Sequence, residues 1–252
     1  MNNEFIKYVI FSQGKSGSSL LCNLLKKHPD VINQGEYFNT LSSSAIFKTT
    51  EISKVNRDLI RTYIGNIYGN RSNIPCKAIG FKYIFSLHYI LFPEVWEYLY
   101  ENRKEIRMIA TSRRNHLKRF LSATNAVIQR KKDPSSIPVP SEFEFEKIHL
   151  DAGSLAERLR YMETEYRSFK SLLEHFPSII SFDYDDLLNN INKVLWDSFT
   201  FLGVDPNVEV QSHYKKITPD NLQDAIENYD EVFEVLTGTP YEWCIADPVL
   251  SA

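Results

Sequence analysis

At 252 residues, with 43% hydrophobic and 24% charged side chains, the chain can bury a substantial core and is not a disordered polymer. Nine glycines and eleven prolines exclude collagen-like or linker material. With 29 basic against 32 acidic residues, the net charge of −3 provides no overall basic field for holding nucleic acid.

Cys22, Cys76 and Cys244 are odd in number and widely spaced, so neither a disulfide framework nor a CxxC-type zinc site can be built from them. That usage points to a reducing compartment. The opening MNNEFIKYVIFSQGK has only a short apolar stretch, interrupted by Lys7, and reads as a strand rather than a signal peptide. No window approaches about 18 uninterrupted apolar residues, so no transmembrane segment is expected. The expectation is one cytosolic domain spanning residues 1–252, its oligomeric state left open.

Residues 5–11, rich in aromatic and β-branched side chains, predict a strand buried on both faces. A turn cluster follows at Ser12–Gly17. Leu20, Leu21, Leu24 and Leu25 then predict a helix to about His28, ended by Pro29. Residues 78–85 predict a second strand, and Pro93 opens a helix carrying Val95, Trp96, Leu99 and Tyr100. Residues 106–111 predict a third strand, running through Asn115 into a helix with Leu117, Phe120 and Leu121. The stretch 131–147, with three prolines and three serines, reads as a surface loop. A long helix from about Ser154 to Phe176, a fourth strand at 178–182 and helices around 185–202 and 219–236 complete the order. Alternating β and α elements predict an α/β fold, P-loop-like and three-layered, with a central parallel sheet covered by helices on both faces.

Gly14-Lys15-Ser16-Gly17-Ser18-Ser19 lies between the first strand and the first helix. Unpaired amides at a helix start, glycines that let the chain curl, hydroxyls and one lysine together make an anion cradle. The bland alternative is a turn in which Ser16 caps the helix, but a lysine with three serines exceeds what capping needs. A Walker A loop would need its first glycine at position 9, which is Val9 inside the strand, so an ordinary P-loop kinase is disfavoured.

The stretch SQGKSGSSLLCNLLKKHP resembles the 5′-phosphosulfate loop of sulfotransferases that use 3′-phosphoadenosine 5′-phosphosulfate (PAPS). It is most similar to the bacterial and carbohydrate branch, where the helix ends in His-Pro, here His28-Pro29, ahead of a Gly-Glu-aromatic segment, here Gly35-Glu36-Tyr37-Phe38. The second signature of that family, an arginine at a strand end with a serine eight residues on, is matched by Arg114 and Ser122, with Arg113 one residue earlier. On a helix that spacing puts both side chains on one face. The segments Ser181–Leu188 and Phe201–Val204 are also similar, and the resemblance runs over about residues 5–240.

The resemblance implies sulfuryl transfer from PAPS, with 3′-phosphoadenosine 5′-phosphate (PAP) as product and no metal, to a carbohydrate or glycolipid hydroxyl. It implies that Lys15 stabilises charge on the oxygen bridging phosphate and sulfate. Gly14, Ser16, Gly17, Ser18 and Ser19 would hold the 5′-phosphate, and Arg114 and Ser122 the 3′-phosphate. Glu36 is the first candidate for the base that takes the acceptor's proton, its pKa raised by burial beside Tyr37 and Phe38. His88, soon after the second strand, is the other candidate. Lys82 is implied to point toward the site from its strand. Three rival readings stay open: transfer to a small phenol or lipid alcohol, a nucleotide-dependent kinase, and a nucleotide-binding module without catalysis.

Overall fold

The computed structural model describes residues 5–36, 38, 57–69, 76–85, 92–132, 145–211 and 218–246. Within them the strands are β1 (Ile6–Ser12), β2 (Val31–Asn33), β3 (Ala78–Ile84), β4 (Ile106–Ser112) and β5 (Ile179–Asp183). They form one sheet in the order β2-β3-β1-β4-β5, and every pairing is parallel. The predicted α/β fold with a parallel sheet and helices on both faces is therefore observed.

The helices are α1 (Ser18–Leu25), α2 (Arg57–Gly69), α3 (Pro93–Glu101), α4 (His116–Lys132) and α5 (Ala152–Leu173). After β5 come α6 (Tyr184–Asn189), α7 (Ile191–Phe201), α8 (Leu222–Ala225), α9 (Tyr229–Leu236) and α10 (Glu242–Ala246). Two compact units result, Met1–Arg113 with Ser168–Ser212, and Arg114–Arg167 with His213–Ala252.

The first unit holds the whole sheet. Strand alternation sends Val9, Phe11, Ile79, Phe81, Tyr83, Met108 and Ala110 to one face. There they meet Ile60, Ile64 and Ile67 of α2, Val95 and Leu99 of α3, and Phe169 and Leu173 of α5. The other face carries Tyr8, Ile10, Ala78, Ile109 and Phe182, covered by Leu21, Leu24 and Leu25 of α1 and Val194, Leu195 and Phe199 of α7. Burial on both faces is why these strands read as continuous apolar runs rather than alternating ones. The second unit has its own core, in which Leu117 and Leu121 of α4 pack with Leu155 and Leu159 of α5 and Val232 and Leu236 of α9.

Several boundaries differ from the sequence expectation. The first helix stops at Leu25, because the chain then turns back into β2, where Lys77 N–H donates to the Asp30 carbonyl at 2.8 Å. His28 anchors that turn: its Nδ1 accepts from Asp30 N–H at 3.0 Å, which leaves Nε2 to donate to the Asp205 carbonyl at 3.0 Å. The helix expected at 185–202 is two helices meeting at Asn190, and that expected at 219–236 is interrupted where Ile226 bridges to Ile148. Of the expected loop at 131–147, residues 133–144 lie outside the described residues.

Candidate active site

In the order β2-β3-β1-β4-β5 the chain leaves β1 toward one edge of the sheet and leaves β4 toward the other. The carboxyl ends of β1 and β4 therefore flank a topological switch point, the place where open parallel sheets bind ligands. Gly14–Ser19 leaves β1 at that point, and Arg113 leaves β4 beside it.

Two residues of the loop take left-handed backbone conformations. Lys15 has φ 64° and Gly17 φ 80°, either side of Ser16, whose φ is ordinary. For a lysine that conformation costs about 1–2 kcal/mol, so the loop stores strain where Lys15 stands exposed. Gly17 is the residue preceding α1, and no side chain caps the helix start. Its first-turn amides have no intrahelical acceptor and face the loop.

Ser16 is not a cap. Its hydroxyl is fully buried, donates to the Gln13 carbonyl at 2.7 Å and lies 2.8 Å from Thr111 Oγ1. A hydroxyl has one proton, so Thr111 is the donor in the second bond, and Ser16 offers an incoming ligand only its backbone N–H. Ser18 is buried and Ser19 half-buried. Gln13 is fully buried; its Oε1 accepts from Arg113 N–H at 3.4 Å, and its Nε2 has no hydrogen-bond partner among the described residues.

Ser19 is joined to the two residues that surround it in space. Lys82 of β3, only 3% exposed, donates from Nζ to Ser19 Oγ at 2.8 Å and forms an ion pair with Glu36. Glu36 follows β2 after a turn in which Asn33 Oδ1 accepts from Gly35 N–H at 2.8 Å and Gly35 takes φ 64°. The environment expected for Glu36 was apolar, and here the structure corrects it. Phe38 turns away into the core against Phe81 and Phe92. The carboxylate instead meets the Lys82 ammonium and stays 26% exposed. One turn along α1, burial pushes the Cys22 thiol up to about 12, so it remains protonated at neutral pH.

The two arginines after β4 have different surroundings. Arg113 is 5% exposed, with its guanidinium 4.0 Å from the Tyr184 ring centroid. Arg114 is exposed and belongs to the second unit, as does Ser122. Arg114 lies before α4 rather than on it, so the shared helix face expected of Arg114 and Ser122 is not what relates them. The start of α4 is capped by Asn115, whose Oδ1 accepts from Lys118 N–H at 2.9 Å while Nδ2 donates to the Cys244 carbonyl at 2.8 Å.

The structure thus brings Ser19, Glu36 and Lys82 together in the first unit, beside the loop that carries Lys15. His88 lies outside the described residues. Thr111 and Gln13 are site-shaping residues that sequence reasoning missed, since their contacts bring β4 and the end of β1 together and no local motif announces them. Tyr184 stands in the similar segment Ser181–Leu188, but sequence reasoning gave it no role. Among the described residues, no three His, Cys, Asp or Glu side chains stand where they could hold a metal ion. No helix among them is long and apolar enough to cross a membrane.

No protein-family model matches the chain, and no curated protein matches it in sequence. Solved structures do match in fold. A sulfotransferase from Alicyclobacillus acidocaldarius is 15% identical, with 96% of each chain covered and a TM-score of 0.52. A mouse sulfotransferase complexed with PAP is 14% identical over 98% of this chain and 90% of that one, with a TM-score of 0.39. The first of these likenesses establishes the shared α/β architecture; the second is looser.

Proposed function

We propose that this chain transfers a sulfuryl group from PAPS to a hydroxyl of a carbohydrate or glycolipid acceptor. The observation that carries the reading is the short loop after β1, in which Lys15 and Gly17 both take positive φ ahead of an uncapped helix. A loop of this length suits a phosphosulfate rather than a wrapped triphosphate, since Val9 stands in the strand where a Walker glycine would be. Two further features fit an anion there: the Gln13 Nε2 at the root of the loop, without a hydrogen-bond partner among the described residues, and the fold shared with the Alicyclobacillus acidocaldarius sulfotransferase.

The chemistry divides among residues already described. PAPS supplies an activated sulfuryl group, so the protein's work is positioning and charge stabilisation. Lys15 neutralises charge that grows on the phosphate oxygen as its bond to sulfur breaks. The backbone of Gly14, Ser16 and Gly17, with Ser18 and Ser19, holds the 5′-phosphate. Arg114 and Ser122 hold the 3′-phosphate, for which a guanidinium fork is suited. Glu36, ionised and partly open to solvent, takes the acceptor's proton as the new oxygen–sulfur bond forms. His88 is the alternative base.

A thermal-shift titration with PAP beside ATP·Mg²⁺ tests the reading. Ligand at a hundred times its Kd adds about 2.7 kcal/mol of stability, a rise of several degrees for a chain of this size. Stabilisation by PAP and not by ATP·Mg²⁺ supports it. Stabilisation by ATP·Mg²⁺ alone, or by neither, overturns it.

A further inference from the structure

We propose that Lys82 is the positioning residue of this site, fixing the Glu36 carboxylate at the phosphate loop by tying it to the Ser19 hydroxyl. Lys82 lies on the face of β3 that carries Ala78, and its register partner on β1 is Ile10; both belong to the buried core on that side of the sheet. An ammonium 3% exposed in such surroundings must be paired, and both its observed partners come from other segments. Ser19 is on the first turn of α1, and Glu36 follows β2. One ammonium has three protons, so it can hold both at once.

The grip is two-handed. The Lys82 backbone N–H donates to the Gly35 carbonyl at 2.7 Å, while its Nζ holds the carboxylate of the next residue, Glu36. Glu36 is thereby fixed by the strand that also reaches the loop. Lys82 Nζ donates to Ser19 Oγ, so the proton of that hydroxyl points elsewhere and remains to be donated. Charge balance is local: the pair is neutral, and removing Lys82 alone leaves a half-buried carboxylate without its cation. Both observed partners of Lys82 Nζ are protein side chains. It acts through Glu36 and Ser19.

The role of Glu36 as base rests on the reading above, so the test separates the two. Lys82→Met, Glu36→Gln and the double variant are melted without ligand and then assayed for PAP binding and sulfuryl transfer. Positioning predicts that Lys82→Met lowers Tm by about 4 °C or more and that adding Glu36→Gln recovers over half of the loss. If Lys82→Met fails to fold while the double variant folds, the coupling is demonstrated in stronger form. Additive melts, or a double variant that is as unstable as Lys82→Met, overturn the proposal whatever nucleotide binds. Coupled melts without PAP binding to the wild type leave the grip standing and remove the sulfotransferase reading.

Where PAP binds, Lys82→Met should lose at least about tenfold in kcat with KM for PAPS within about threefold, the signature of a misplaced base rather than a lost donor contact. Lys82→Arg, which keeps a cation, should retain more kcat than Lys82→Met. A rise in KM for PAPS with kcat unchanged would make Lys82 a donor-binding residue and overturn the positioning role.

Discussion

The Ser16 hydroxyl lies 2.8 Å from that of Thr111, and this contact ties the loop after β1 to the end of β4. Ser12 and Thr111 are already register partners across β1 and β4, so the loop begins where the two strands are held side by side. The hydroxyl pair carries that connection four residues beyond the strand, to Ser16. The loop's shape is thus imposed by the sheet, which is what a preorganised anion site requires.

Replacing Ser16 with Ala should therefore cost stability rather than ligand affinity. The change leaves the Gln13 carbonyl and the Thr111 hydroxyl buried without their partner, a loss of about 1–3 kcal/mol. The Ser16 N–H survives the substitution, so PAP should still bind within about threefold of wild type once the protein is folded. Thermal melts and a calorimetric titration read the two effects separately. A variant of unchanged Tm with a collapsed PAP affinity would mean that the hydroxyl itself reaches the ligand.

Gly17 meets two independent demands. Its φ of +80° is strained for any L side chain, and a Cβ there would stand 2.7 Å from Leu187 Cδ1 and 3.1 Å from Tyr184 Cδ2. Leu187 belongs to the core beneath α1, so the clash cannot be relieved at the surface. Gly17→Ala should lose about 2 kcal/mol or more, equivalent to about 4–8 °C in Tm for a chain of this size. Because the loop and helix start shift with it, anion binding should weaken in the same variant. A Tm within 1 °C or so of wild type would contradict the strain argument.

The two arginines after β4 should separate cleanly. Arg113 is buried against Tyr184, so Arg113→Ala removes a stacked, desolvated guanidinium and should destabilise by about 1–3 kcal/mol. Arg114 is exposed, and Arg114→Ala should leave Tm nearly unchanged. If Arg114 holds the 3′-phosphate, its loss should weaken PAP by about ten- to a hundredfold, since a hydrogen bond to a charged group contributes about 1.5–3 kcal/mol. Affinity for adenosine 5′-phosphate, which lacks that group, should not change. The comparison of the two ligands, and not PAP alone, is the measurement. Equal losses for both would take the 3′-phosphate away from Arg114.

Much of the fold was legible because four strands of five to seven residues are predominantly apolar, broken only by single charged or small polar residues, and bounded by turns. β2, with three residues, is too short to have a period, and it exists through its pairing with β3. α2 did have a signal, Ile60, Ile64 and Ile67 at helical spacing, but no proline or glycine marked its start. The break at Asn190 lacks a proline or glycine too, and only its non-helical backbone, φ −133° and ψ 38°, marks it.

In the candidate site, the loop itself was readable as composition: lysine, serines and glycines after a strand. The partners that shape it were not. Lys82 meets Ser19 across 63 positions and Ser16 meets Thr111 across 95. Such distances are set by strand order, and no local spacing encodes them. The same holds for Glu36, whose neighbouring aromatics suggested an apolar pocket although the residue across the sheet from it is a lysine.

His116 gives the second unit a pH dependence with a definite sign. Its side chain is buried at the start of α4, with the Tyr166 ring 5.7 Å away, Nδ1 lacking a hydrogen-bond partner among the described residues, and Arg119 and Glu163 as the charged groups acting on it. Burial pushes its pKa down from 6.5 to about 4, and the Arg119 cation acts in the same direction, with Glu163 opposing. The folded protein therefore refuses a proton that the unfolded chain accepts between about pH 6.5 and 4. By linkage, stability is full above pH 6.5 and falls as pH drops through that window, by something on the order of 2 kcal/mol. Arg119 is itself held by two hydrogen bonds to Glu165 at 2.8 and 2.9 Å, so it cannot swing aside to admit the charge. His116→Gln, which keeps a polar ring-sized side chain without a titrating proton, should flatten the stability profile between pH 6.5 and 4.5. Urea denaturation at pH 7.5, 6.5, 5.5 and 4.5 on both proteins measures the difference. Parallel profiles would show that His116 takes up its proton as readily when folded as when unfolded.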